Sequence, residues 1–332
     1  MADTSVAGNI PASGRRSRIA GVGGYLPEKI VTNADLTRIV DTSDEWITAR
    51  TGIKQRHLAG SHETAAFMGA QAAAAALAQA GVAAASVDAI ILATATPDEA
   101  FPATAVRVQA LLGITTGFAF DISAACSGFI YALSVADSLI RGGTASRVLV
   151  IGSEVYSRIL DWQDRTTCVL FGDGAGAVLL QAAPAGGAGI LSTHLHANGA
   201  YGDMLYVDGA VGQRDRPGTV VMKGQEVFRH AVSKLSAAVD EALEANGLTH
   251  ADIDWLVPHQ ANLRIIDAMG RRLSLPPERV VITVDRHANT SAASVPLALA
   301  EAVNDGRIQP GHLVLMEALG GGLTWGSALA RF

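Results

Sequence analysis

One short pattern occurs twice in this chain and constrains its fold more than any other feature. An Ala-rich stretch runs into Ala80-Gly81-Val82, then Val87-Asp88, then the apolar run Ala89–Ala93. Later, a stretch from about Glu226 to Ala245 runs into Asn246-Gly247-Leu248, then Ile253-Asp254, then Trp255-Leu256-Val257-Pro258. Each reads as a helix, a glycine stop, a short loop and a buried strand. The parallel continues downstream. Phe120-Asp121-Ile122 leads into small residues and an apolar helix, as does Thr283-Val284-Asp285, and Arg147-Val148-Leu149-Val150 is matched by His312-Leu313-Val314-Leu315. Each half closes on a Gly-containing apolar strand, residues 174–180 and 326–332. The strand runs are apolar throughout rather than alternating, the mark of strands covered by helices on both faces. The pattern predicts an α/β protein of two similar halves, residues 17–185 and 186–332.

Composition narrows the function classes. With 332 residues, 49% hydrophobic and only 17% charged, the chain is not a disordered one. A net charge of -6 argues against a general nucleic-acid binder. Two cysteines supply no disulfide framework, and neither stands in a cluster that would hold a metal. Residues 1–16 are polar and lack the apolar core of a secretory signal. The Ala-rich stretch 65–85 contains Gly69, Gln71, Gln79 and Gly81, so it reads as a packed helix rather than a membrane span. A soluble, cytoplasmic protein with neither membrane nor nucleic acid as partner is expected.

Three segments carry chemistry. In Asp121-Ile122-Ser123-Ala124-Ala125-Cys126-Ser127-Gly128 the cysteine precedes a helix that is apolar almost all round. Such a helix is buried, and its free N–H groups and dipole are expected to lower the pKa of Cys126. Cys168, among apolar neighbours, reads as structural. His259, in Trp255-Leu256-Val257-Pro258-His259-Gln260-Ala261-Asn262, lies where a buried strand gives way to a helix, and Asn289 lies in a similar place in Asp285-Arg286-His287-Ala288-Asn289. Taken singly, His259 reads as a hydrogen-bonded core histidine and Asn289 as a turn or cap. Taken together, the repeat sets Asn289 close to the equivalent of Cys126, and Cys, His and Asn form a nucleophile, a base or donor, and an orienting amide. Glu317-Ala318-Leu319-Gly320-Gly321-Gly322-Leu323 implies a close backbone approach whose N–H groups can form an oxyanion hole, or else a sheet-edge bulge. The chain has no spaced third glycine after Gly21-Val22-Gly23-Gly24, no P-loop lysine at Gly172-Asp173-Gly174 and no nucleophile elbow.

Together these segments resemble the β-ketoacyl-acyl carrier protein synthase III family, the initiating condensing enzymes of the thiolase superfamily. The resemblance covers residues 17–332 and is carried by Thr42-Ser43-Asp44-Glu45-Trp46 through Arg50-Thr51-Gly52-Ile53, the Cys126 segment, Phe171-Gly172-Asp173-Gly174, His259-Gln260-Ala261-Asn262-Leu263-Arg264, Asn289-Thr290-Ser291-Ala292-Ala293-Ser294 and the closing glycine strand. It implies a five-layered αβαβα thiolase-like fold, a homodimer and no cofactor. It also implies a mechanism in which Cys126 takes the acyl group of an acyl-coenzyme A primer and malonyl-acyl carrier protein then enters. His259 and Asn289 hold its thioester carbonyl during decarboxylation, and the N–H groups of Cys126 and Gly321 hold the tetrahedral oxyanion. The glycine loop lacks the second cysteine of a thiolase, and Asn289 stands where elongating synthases carry a second histidine.

By the same resemblance Trp46 and Arg165 flank the adenine of coenzyme A, with Thr42, Arg50, Gly224 and Asn262 nearby. Phe101, Tyr156, Phe171 and Leu319 bound the acyl pocket, Phe101 from the neighbouring subunit. Arg264, Arg271 and Arg272 recur on one helix face and, with Arg229, suit an acidic carrier protein; the alternative is an ordinary solvated face. Leu319 and Tyr156 depart from the family's usual Phe and small apolar residue, and Tyr156 is expected to narrow the pocket in favour of acetyl. The sequence leaves open a primer-loading ketosynthase of a polyketide or other secondary pathway. A cysteine hydrolase and a non-catalytic carrier-binding homologue are the rivals of other classes.

Overall fold

In the computed structural model of the chain, residues 14–209 and 218–332 are described. Residues 1–13 of the stretch read for a secretory signal lie outside them. In the first half, β1 (Arg15–Tyr25), β2 (Ala89–Ala93), β3 (Phe118–Ile122), β4 (Arg147–Val155) and β5 (Asp173–Pro184) form one sheet in the order β1-β5-β4-β2-β3. In the second, β6 (Gly189–Ala197), β7 (Trp255–Pro258), β8 (Leu313–Gly320) and β9 (Thr324–Arg331) form another in the order β7-β8-β9-β6.

The two sheets share one topology. β2 runs parallel to β4 as β7 does to β8, and β4-β5-β1 is an antiparallel series like β8-β9-β6. The match fails at one edge. The counterpart of β3 shrinks to a single parallel bridge between Leu256 and Val280, because Thr283-Val284-Asp285 turns into the short helix Val284–His287 instead of continuing as a strand.

Seven helices matter here: α1 (Asp44–Thr51), α2 (Ala65–Ala80), α3 (Thr104–Leu111), α4 (Gly128–Arg141), α5 (Gly224–Ala245), α6 (Leu263–Arg272) and α7 (Ser294–Asn304). The glycine stops are real, since Gly81 (φ 63°) and Gly247 (φ 64°) both occupy the left-handed region that other residues avoid. Alternate strand residues face different layers. Ile90, Leu92, Leu149 and Ile151 pack on α2 and α3. Ile91, Ala93, Val148 and Val150 pack on α4 and α7, which also cover Val314, Met316 and Ala328 of the second sheet. Leu256, Leu313, Leu315 and Leu329 pack under α5 and α6. The result is helix, sheet, helix, sheet, helix, with α4 and α7 in the middle. Among the described residues no helix is long and apolar enough to cross a membrane.

The central layer brings the halves together by a crossed contact. The turn Ala125–Ser127 before α4 sits on Gly320 of the second sheet, where a Cβ would lie 2.5 Å from the Cys126 nitrogen. The turn Ser291–Ala293 before α7 sits on Gly152 of the first sheet, where a Cβ would lie 2.2 Å from the Ala292 carbonyl oxygen. Each turn opens on a residue with positive φ, Ala125 at 45° and Ser291 at 51°. The equivalent of Cys126 is therefore Ala292, with Asn289 three residues before it.

Candidate active site

A cavity of about 790 Å³ is lined by Cys126, His259 and Asn289 together with Phe171, Leu319, Trp46, Arg50, Arg165, Gly224, Asn262 and Arg264. Three separate chain segments thus converge, as the repeat predicts. Cys126, His259 and Asn289 are all nearly buried, whereas the Arg165 side chain is 47% exposed, so the cavity runs from an interior end to an open one.

The protonation of each interior group follows from its neighbours. Burial pushes the Cys126 thiol up to about 12, opposed by a hydrogen bond from Ser291 and reinforced by the Glu154 carboxylate. This reverses the expected lowering. A helix end contributes about 0.5–2 kcal/mol, while a rise from 9.0 to about 12 is worth on the order of 4 kcal/mol. Cys126 also stands in a tight turn ahead of α4 rather than in the helix's own first turn. At rest the nucleophile candidate is a neutral thiol.

His259 directly follows β7, with its N–H on the Glu317 carbonyl at 2.8 Å. Burial lowers its pKa to about 3, so the imidazole is neutral. Its Nδ1 lies 2.5 Å from Ser294 Oγ, which already accepts the Gln260 N–H at 3.4 Å. Among the described contacts, Nδ1 is the only acceptor left for the Ser294 hydroxyl hydrogen, which places the ring proton on Nε2. Asn289 is fixed in a similar way. Its Oδ1 accepts the Ser291 N–H at 2.9 Å, and its own N–H and C=O are tied to Leu170 and Gly172. That leaves the Asn289 Nδ2–H₂ group uncommitted. His259 and Asn289 therefore both have N–H to offer, and neither carries charge.

Behind the thiol lies a polar cluster that the sequence reading passed over. Glu154, fully buried on β4, accepts from Thr96 Oγ1 (2.6 Å), the Ala95 N–H (3.0 Å) and Thr94 Oγ1 (3.2 Å). Burial lifts its pKa to about 7 against those donors and Ser291. The Ser291 hydroxyl also reaches the Tyr156 hydroxyl at 3.2 Å. The available signal was the one carboxylate at the end of the apolar run of residues 148–151 and its continuation.

The remaining predicted residues are placed as follows. Tyr156 stacks on Phe171, ring centroids 4.6 Å apart, and lines a second cavity of about 330 Å³ with Ala124, Ala125, Leu205 and Gly321. Gly321 thus lies beside the turn, while Gly320 is the residue pressed on the Cys126 amide. Phe101 is 84% exposed and lines neither cavity. The guanidinium carbons of Arg50 and Arg165 lie 4.5 and 5.2 Å from the Trp46 ring centre. Thr42 is apart from the cavity lining. Asn262 caps α6 through the Arg264 N–H (2.9 Å) and donates to the Arg50 carbonyl (3.1 Å), tying α6 to α1. Arg229, Arg264, Arg271 and Arg272 are exposed, but Arg272 is paired with Asp240 at 3.1 Å. No cluster of side chains suited to a metal occurs among the described residues.

Comparison with known proteins agrees with this geometry. Residues 120–199 match the family profile described as 3-oxoacyl-[acyl-carrier-protein] synthase III, and residues 243–332 match its C-terminal profile. A β-ketoacyl-[acyl-carrier-protein] synthase III of Acidiphilium cryptum (strain JF-5) is 70% identical over 319 residues, spanning 96% of this chain and 100% of that one. The crystal structure of 3-oxoacyl-[acyl-carrier-protein] synthase III from Aquifex aeolicus VF5 superposes with a TM-score of 0.90 at 49% identity, over 95% of this chain and 100% of that one. The priming β-ketosynthase from the R1128 polyketide biosynthetic pathway gives 0.92 at 37% identity, over 98% of each chain. The chain belongs to the β-ketoacyl-[acyl-carrier-protein] synthase III family of condensing enzymes.

Proposed function

We propose that this enzyme starts fatty-acid synthesis by a decarboxylating Claisen condensation of an acyl-coenzyme A primer, acetyl foremost, with malonyl-acyl carrier protein. The observation that carries the reading is the pair of neutral N–H donors, His259 and Asn289, lining one cavity with a single thiol. Cys126 attacks the primer thioester and keeps the acyl group while coenzyme A departs. When malonyl-acyl carrier protein follows, the two donors hydrogen-bond its thioester carbonyl. They stabilise the enolate charge that appears as carbon dioxide leaves, and a donor of this kind is worth about 10²–10³ in rate. The carbanion then attacks the acyl-cysteine, with the Cys126 and Gly321 N–H groups on the tetrahedral oxyanion. Decarboxylation itself generates the carbanion, so the chemistry requires no cofactor or strong base.

The open end of the cavity suits the rest of the substrate. Trp46, Arg50 and Arg165 offer an aromatic face and two guanidinium groups to adenine and phosphates, with Arg165 moving off the ring to admit the base. Thr42, Gly224 and Asn262 flank that path. Arg229, Arg264 and Arg271 form the acyl carrier protein contact, with Arg272 contributing once released from Asp240. Phe101, Leu111 (58%) and Val106 (38%) are exposed apolar side chains that a homodimer would cover. We assign the enzyme to the cytoplasm. A polyketide priming role uses the same chemistry, but the 70% identical relative carries the name β-ketoacyl-[acyl-carrier-protein] synthase III, and the polyketide-pathway ketosynthase is only 37% identical.

Intact-protein mass spectrometry after acetyl-coenzyme A tests the core of this. One acetyl group is expected on the enzyme and none on Cys126→Ala. Steady release of free acetate would make the protein a hydrolase, and no label at all a binding module. In His259→Ala, acylation should survive while malonyl decarboxylation collapses; loss of both together would overturn the division of roles.

A further inference from the structure

The chain leaves the second sheet early in order to deliver Asn289, and one side chain makes good the pairing that is lost. Beside β7 the segment 280–284 contributes only the Leu256–Val280 bridge and the Val281 N–H on the Leu256 carbonyl at 2.9 Å before it turns into the short helix Val284–His287. Gln260, fully buried, fills the gap with its carboxamide. Its Nε2 donates to the Pro258 carbonyl at 2.8 Å and to the Val281 carbonyl at 3.0 Å. Its Oε1 accepts the Thr283 N–H at 2.8 Å and the Val284 N–H at 3.0 Å. A primary amide has two donor hydrogens and two acceptor lone pairs, so the whole capacity of this one is used in joining two backbone segments.

Those segments lead to the two donors of the site. Gln260 directly follows His259, and its own N–H reaches Ser294 Oγ at 3.4 Å, the same atom that holds His259 Nδ1. On the other side, Thr283 and Val284 open the single helical turn that leads to Asn289. The His287 N–H bonds to the Thr283 carbonyl at 2.8 Å and the Ala288 N–H to the Val284 carbonyl at 3.1 Å, and Ala288, at φ 59°, redirects the chain into Asn289. Resting on the reading of His259 and Asn289 as paired donors to the malonyl carbonyl, we propose that Gln260 is the positioning residue that sets the separation of those two donors.

Gln260 does not line the cavity, so it acts on the reaction through geometry alone. The malonyl carbonyl oxygen must receive two N–H groups at once, and a misplacement near 1 Å costs on the order of 10²-fold in rate. Four directional bonds hold that separation more firmly than apolar packing would, because each one left unmade strands a buried polar group. All of the bonds made by Gln260 stay within the second half of the chain. The nucleophile is set separately, by the contact of its turn with Gly320. Loosening Gln260 should therefore disturb decarboxylation and spare acyl transfer.

The test measures malonyl-acyl carrier protein decarboxylation and, separately, coenzyme A release from acetyl-coenzyme A, both on the full-length enzyme. Gln260→Met, similar in length but unable to form the four side-chain bonds, should slow decarboxylation on the order of 10²-fold and leave Cys126 acylation within a few-fold of native. Gln260→Glu is isosteric and gives a pH signature that a merely structural loss would not. As the neutral acid it keeps a donor and an acceptor; once ionised it sets an oxygen against the Pro258 and Val281 carbonyls. Its decarboxylation relative to native should therefore fall as pH rises between about 5.5 and 9, with acylation unaffected. The titratable or charged side chains on the joined segments are His259, Asp285, Arg286 and His287, with Glu317 on β8 and Glu301 on α7. The native enzyme shares them all, so the ratio isolates the new carboxyl. Gln260→Glu serves alone if Gln260→Met does not fold. Decarboxylation by Gln260→Met within a few-fold of native, an equal loss of both half-reactions, or a Gln260→Glu ratio that does not fall with pH overturns the positioning role. Native-like decarboxylation by His259→Ala would instead overturn the underlying assignment of the donors.

Discussion

Replacing Gly320 by alanine tests whether the crossed contact between the halves sets the position of the nucleophile. The added Cβ would lie 2.5 Å from the Cys126 nitrogen, 3.1 Å from the Ser127 nitrogen and 3.2 Å from the Ala125 Cβ. Ordinary contact begins near 3.4 Å, and none of these atoms belongs to a flexible side chain, so the turn must retreat by about 0.9 Å. Overpacking of this kind costs about 1–3 kcal/mol of stability. A displacement near 1 Å at a reacting atom costs on the order of 10²-fold in rate. Gly24→Ala is the control, because its Cβ meets the movable Leu297 Cδ2 at 2.9 Å and none of its nearest atoms belongs to the turn. The assay is the burst of coenzyme A release from acetyl-coenzyme A, with thermal unfolding recorded alongside. Gly320→Ala should lose acylation roughly 10²-fold while still unfolding cooperatively. Acylation within a few-fold of native, or an equal loss in Gly24→Ala, would refute the idea that Gly320 places Cys126.

Three more outcomes follow from the same contacts. Ser294→Ala frees Nδ1 to carry the ring proton, so malonyl decarboxylation should fall about 10-fold or more with acylation nearly unchanged; equal effects on both steps would remove the tautomer argument. Tyr156→Leu should shift the preference from acetyl- toward isobutyryl- and hexanoyl-coenzyme A, each misfit methylene being worth roughly 10-fold or more, whereas unchanged relative rates would show that Tyr156 does not bound the pocket. Glu317 is fully buried with both carboxylate oxygens unpartnered, and burial raises its pKa to about 8. The folded state therefore keeps a proton that the unfolded chain loses above its ordinary carboxylate pKa, so stability should fall as pH rises from about 5 to 8. Denaturant titration of Glu317→Met should lack that fall, and a parallel pH profile in both proteins would dismiss the buried-acid account.

The fold was legible where burial leaves a mark on residue type. Strands Ala89–Ala93 and Leu313–Gly320 carry apolar side chains on both faces because helices cover both, and the glycine stops at 81 and 247 show where the chain must turn. The convergence of Cys126, His259 and Asn289 was legible because a duplication relates their positions. Two things depended on tertiary neighbours that no local pattern encodes. The direction of the Cys126 pKa shift is one, since the helix after it is visible in sequence but the depth of its burial is not. The pairing of Arg272 with Asp240, on a different helix, is the other. The missing strand near Val284 has a similar origin. The residues are strand-like, but the chain must enter a short helix to deliver Asn289 to the cavity.

The site's burial explains why its donors are uncharged and held in fixed orientations. Cys126, His259 and Asn289 are all uncharged at rest, so charge develops among them mainly as bonds change, where oriented N–H groups are worth most. A single histidine serving both half-reactions would have to expose a bare Nε2 to the thiol and then a protonated one to the malonyl carbonyl. That demands a tautomer change inside a cavity whose Ser294 contact favours one form. With Nδ1 held by Ser294 and Asn289 Oδ1 held by the Ser291 N–H, His259 and Asn289 stay donors toward the malonyl carbonyl. Both donors are set within residues 289–294: Asn289 offers its own amide, and Ser294 fixes the His259 ring. The crossed turn that seats Ser291–Ala293 on Gly152 therefore aligns both donors at once.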